Sequence, residues 1–101
     1  MATVSYSGDA LADLERLAQF LQEEHPKFAR ETSALIVDGL SVLERHPLIG
    51  RSLEDEFREL LISRGRSGYV ALYEYRESAD HVVVHRIRHQ REAGFEDFTP
   101  A

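Results

Sequence analysis

Two stretches decide the fold: Gly68-Tyr69-Val70-Ala71-Leu72-Tyr73-Glu74-Tyr75 and His81-Val82-Val83-Val84-His85-Arg86-Ile87-Arg88-His89. Both are rich in aromatic and β-branched residues, the types that suit a pleated surface. Side chains alternate across a strand, so Tyr69, Ala71, Tyr73 and Tyr75 share one face and Val70, Leu72 and Glu74 the other. Arg76 to Asp80 between the two strands is a turn. Upstream, Phe57 to Ser63 predicts a further strand, and Arg64-Gly65-Arg66-Ser67-Gly68 is a glycine-bearing turn. Three consecutive strands with short connections predict an antiparallel meander.

The first half has a different period. Ala10, Leu11, Leu14, Leu17, Ala18 and Leu21 recur at steps of three and four, which predicts an amphipathic helix over 9–24. Ser7-Gly8-Asp9 supplies its entry residues. Pro26 suits the first turn of a second helix. There Phe28, Thr32, Leu35, Ile36, Gly39, Leu40 and Leu43 form one stripe that ends near His46, before Pro47. Gly50 and Ser52 to Glu56 read as a loop. Val4 and Tyr6 mark a short N-terminal strand able to join a sheet edge. The fold class is α+β in the order β-α-α-β-β-β, with an N-terminal helical hairpin packed on an antiparallel sheet, because the apolar stripes need a surface to bury them. Residues 1–101 form a single domain, and residues 92–101 a polar C-terminal tail.

Composition narrows the function. The 101 residues include no cysteine, which removes disulfides and thiolate metal sites. No apolar run approaches the roughly 20 residues of a membrane helix. The N-terminus carries Asp9, Asp13 and Glu15 in place of a basic and then apolar leader. A cytoplasmic protein without membrane attachment is expected. The net charge is −6, yet residues 57–91 hold seven arginines against four carboxylates. Arginine suits planar, bidentate recognition of carboxylate and phosphate, so this segment predicts a specific anionic partner. The overall acidity speaks against indiscriminate nucleic-acid binding.

Pro47-Leu48-Ile49-Gly50-Arg51, then Arg58-Glu59-Leu60, then Gly68 to Tyr75, then Val82-x-Val84-x-Arg86-Ile87-x-His89-x-Arg91 form an ordered series. In order and spacing it resembles the RelE/ParE toxin superfamily over about residues 3–95. The resemblance implies the toxin of a type II toxin–antitoxin system, held in a hetero-oligomer by a cognate antitoxin. For the target it leaves open DNA gyrase, as for ParE-like members, and mRNA on the ribosome, as for RelE-like members. A third reading is a non-toxic relic that keeps only antitoxin binding.

Metal-independent RNA cleavage requires a base, a cation for the phosphate and an acid. If the chain is RelE-like, the candidates are Arg58, Arg86, His89 and Arg91. Candidate partner-binding residues are Arg64, Arg66, Tyr69, Tyr73 and Arg88. The structural alternative for Arg86 is a pair with Glu59 or Glu74 across the sheet. No metal site and no cofactor are expected. The ribonuclease members carry a tyrosine in the C-terminal segment where this chain has Phe95, and they are strongly basic where it is acidic. Both departures favour the ParE-like reading, a gyrase inhibitor without catalysis.

Overall fold

The computed structural model describes residues 1–24, 26–64 and 67–90. The chain runs β1 (Thr3–Tyr6), α1 (Gly8–Glu24), α2 (Pro26–Ser41), a 3-10 turn (Val42–Glu44), β2 (Arg51–Ser52), β3 (Phe57–Arg64), β4 (Ser67–Arg76), a second 3-10 turn (Glu77–Ala79) and β5 (His81–His89). The α+β class and the helical hairpin on a sheet are as the periodicities predict.

The sheet departs from the expected antiparallel one in two ways. β1 joins its edge parallel to β5, Thr3 to Tyr6 standing opposite His81 to Val84, so the five-stranded sheet is mixed, in the order β1-β5-β4-β3-β2. The segment expected to be a loop contains β2, which pairs Arg51 with Glu59 and Ser52 with Arg58. Asp55, at φ 57°, closes this tight hairpin; a short polar side chain tolerates the left-handed region.

The second helix stops at Ser41 instead of near His46. Ser41 Oγ donates to the Asp38 carbonyl at 2.6 Å, and such local bonds compete with the helical ladder. The last turn tightens, with Arg45 N and His46 N both donating to the Val42 carbonyl. At the start of α1, Ser7 accepts Ala10 N–H on its Oγ at 3.1 Å, a serine N-cap.

The core lies between the helices and the sheet. Ile36, Leu40, Leu43, Tyr73, Val82, Val84 and Ile87 are its largest fully enclosed side chains, joined by Ala10 and Leu17 of α1 and by Ile62, Tyr69 and Ala71. Each buried aliphatic contributes roughly 1.5–3 kcal/mol. Helix α2 approaches β3 closely because Gly39 leaves room: a Cβ there would stand 2.9 Å from Ile62 Cγ2.

Candidate functional site

Three polar constellations are built into this scaffold. The first surrounds Tyr73, whose side chain is fully buried and crosses the core to the loop before β2. Its Oη donates to the Pro47 carbonyl at 2.8 Å and accepts Gly50 N–H at 2.9 Å. Arg58, beside Tyr73 on β3, donates through Nη1 to the Leu48 carbonyl at 3.1 Å and the Gly50 carbonyl at 2.9 Å. These bonds explain the Pro47-x-x-Gly50 spacing. A Cβ on residue 50 would lie 2.7 Å from the Tyr73 ring and hydroxyl and 2.8 Å from the Glu59 carbonyl. Burial pushes the Tyr73 phenol up from its ordinary value, while the Gly50 hydrogen bond and the Arg58 charge pull the other way without cancelling it.

The second constellation sits where β5 outruns β1. Leu72 faces Arg86 but Tyr73 faces Val84, so β5 carries an extra residue at this point. The bulge preserves the core pattern by handing the buried face from Val84 to Ile87. Asp13 of α1, only 5% exposed, seals the irregularity. It accepts Arg86 Nε at 2.9 Å, Arg86 Nη2 at 3.4 Å and the Ile87 backbone N–H at 2.9 Å. Arg16 stands 3.8 Å away on the same helix. Arg86 is therefore an ion-pair residue, and its carboxylate comes from α1, not from Glu59 or Glu74.

The third lies on the face turned away from the helices. His85 Nε2 is 3.1 Å from Glu74 Oε1, Arg76 Nη2 donates to the same oxygen at 3.3 Å, and the Phe57 and His85 rings stand 5.4 Å apart. Burial acts to raise the Glu74 pKa, but the hydrogen bonds and charges of His85 and Arg76 prevail and hold it below the ordinary carboxylate value.

The remaining sequence candidates divide as follows. Tyr69 is buried at 3% exposure, its ring edge-on to His89 at 5.3 Å. Its phenol is raised by burial, partly offset by a hydrogen bond with Thr32. Tyr69 and Tyr73 are thus buried in the scaffold. Arg88 stands opposite Val70. Arg64 lies at the end of β3, its side chain outside the described set, and Arg66 and Arg91 lie outside the described residues, as does the tail 92–101.

Arg58 and Arg86 flank β4 on two different strands. At about 4.8 Å per strand their backbones are on the order of 10 Å apart, and their guanidinium groups turn to different elements, the 47–50 loop and α1. Base, cation and carboxylate do meet at Glu74, with His85 and Arg76, but none of these three is a candidate from the sequence; among the described residues no group of three or more metal-ligating side chains occurs. Asp13 was not singled out in the sequence. Its signal was a carboxylate on the apolar stripe, between Ala10 and Leu17.

A helical hairpin on a five-stranded mixed sheet places the molecule among the small RelE/ParE-type α+β domains. The chain belongs to the ParE toxin family of type II toxin–antitoxin systems: residues 4–94 match the profile described as "ParE toxin of type II toxin-antitoxin system, parDE". It is 36% identical to Toxin RelE3 of Caulobacter vibrioides over 92 residues, covering 91% of this chain and 98% of that one. It is 37% identical to Toxin RelE1 of the same organism over 81 residues, 80% of this chain and 87% of that one. In fold it is similar to a chain of the chromosomal ParDE system of P. aeruginosa, with TM-score 0.72 and 20% identity over 88% of this chain and 96% of that one. It is also similar to a chain of the intact E. coli RelBE toxin–antitoxin complex, with TM-score 0.62 and 14% identity over 91% of this chain and 100% of that one.

Proposed function

We propose that this type II toxin acts in the cytoplasm by binding DNA gyrase, without catalysing a reaction itself, and that a cognate antitoxin silences it in a hetero-oligomer. The observation that carries the reading is the engagement of Arg58 and Arg86, two of the arginines put forward for a nuclease site. Arg58 is spent on the Leu48 and Gly50 carbonyls and Arg86 on buried Asp13. Moving Arg86 into a nuclease site would take the paired charge from buried Asp13, a costly exchange, and moving Arg58 would give up its bonds to the Leu48 and Gly50 carbonyls. The acidic net charge adds to it. The antitoxin partner is supported by the structural neighbours, which come from ParDE and RelBE systems. Supercoiling of relaxed plasmid by purified gyrase tests the target: stoichiometric toxin is expected to stop it, and full activity at large excess rejects the reading.

A second reading, ribosome-dependent mRNA cleavage through Arg58, Arg86, His89 and Arg91, is favoured by the names of the Caulobacter relatives. It requires Arg86 to leave Asp13 when RNA binds. The relic reading predicts that expression of the chain alone leaves growth unchanged.

A further inference from the structure

The loop before β2 is held more firmly than its size requires. Tyr73 Oη bonds Pro47 O and Gly50 N, Arg58 bonds the carbonyls of Leu48 and Gly50, and Ile49 N donates to the His46 carbonyl at 3.1 Å. All this anchors a tip whose two side chains, Leu48 and Ile49, are 58% and 56% exposed. A loop that serves only to connect two elements usually turns polar side chains outward. Here a buried tyrosine and a half-buried arginine fix the backbone while two large aliphatics stand in water.

We propose that Leu48 and Ile49 form the apolar anchor by which this toxin seizes its protein target, with Tyr73 and Arg58 as positioning residues. The inference rests on the binding reading above and names the surface it uses. The partner is a folded protein with an apolar recess rimmed by carboxylates. The tip is exposed and its backbone is fixed by hydrogen bonds, so it suits a pocket that already exists. A tail that folds as it binds instead fills a concave groove. The rim follows from charge: residues 45–53 contain Arg45 and Arg51 and no carboxylate, in a chain of net charge −6. Both arginines are exposed; Arg51 keeps one contact with Glu59 at 3.1 Å and remains 71% exposed. Exposed apolar side chains flanked by exposed arginines match the apolar core and polar rim of an interface.

The test uses the full chain carrying Leu48→Ser with Ile49→Ser, and a conservative companion carrying Leu48→Met with Ile49→Leu. Growth arrest on expression without antitoxin, gyrase supercoiling, melting temperature and sedimentation are compared with the parent chain. The serine pair is expected to keep the parent melting temperature within about 2 °C and to raise the half-inhibitory concentration about thirtyfold, the loss that goes with a hot spot of about 2 kcal/mol. The conservative pair is expected to restore inhibition, which a purely structural role does not predict. Unchanged growth arrest by the serine pair overturns the inference. So does a parent chain that self-associates and comes apart with the serine pair, because the tip then meets a second copy. If the parent arrests growth but leaves gyrase untouched, the gyrase reading falls alone and the growth arm still decides the tip.

Discussion

Replacing Asp13 with alanine removes one carboxylate and undoes three bonds: two from Arg86 and one from the Ile87 backbone. The site is poorly solvated, since the Asp13 and Arg86 side chains are 7% and 18% exposed. Breaking a buried pair from one side costs about 3–5 kcal/mol. The orphaned N–H at the bulge belongs to the same loss. A domain of this size has a total stability of about 5–15 kcal/mol, and each kcal/mol moves its melting temperature by about 4–8 °C. Asp13→Ala is therefore expected to melt at least about 12 °C below the parent by circular dichroism. Asp13→Asn, which keeps an oxygen for Ile87 N–H, should lose clearly less. The double variant Asp13→Leu with Arg86→Met removes both charges and is expected to recover most of the deficit. A drop under about 4 °C for Asp13→Ala, or simple additivity with Arg86→Met, refutes the claim that Arg86 is held by a buried partner.

Other consequences can be checked on the same material. Gly50→Ala forces a methyl group against the Tyr73 ring and the Glu59 carbonyl, so a loss of about 1–3 kcal/mol in urea denaturation is expected. All four tyrosines have raised phenols: burial is the main cause for Tyr6, Tyr69 and Tyr73, and the hydrogen bond to Asp80 for Tyr75. A phenol raised by folding stabilises the native state fully below pH about 10, and that stability is lost as pH rises through the folded value. Absorbance at about 295 nm should show phenolate only above the free-tyrosine range. Glu74 has the opposite sign: its lowered pKa contributes stability above the unfolded carboxylate value, lost as pH falls through the folded one. Glu74→Gln should be less stable than the parent at pH 7, and the gap should close in acid.

Much of the architecture was legible because hydrophobic period reports directly on element type. The steps of three and four in Ala10 to Leu21 and the valines of β5 lead to the helix and strand observed there. Two things were not legible. β2 is two residues long and exists only because β3 offers it an edge, so it leaves no periodic trace. The bulge in β5 depends on a partner 73 residues away, Asp13, which a strand read alone cannot reveal. That bulge also decides where Arg86 points. Arginine type and spacing located residues able to bind an anion, but not the carbonyls and carboxylate inside the fold that claim Arg58 and Arg86. The apolar tip at Leu48 and Ile49 passed as part of an ordinary Pro-x-x-Gly step, since exposure is a property of the folded loop.

In the proposed function Arg58 and Arg86 serve the scaffold and the toxin acts by binding. Mapping mRNA 5′ ends by primer extension after inducing the chain in growing cells addresses that point directly. Growth arrest with an unchanged pattern of ends is the predicted result. New ends that follow the codon frame, lost on Arg86→Ala while the variant stays folded, would contradict it.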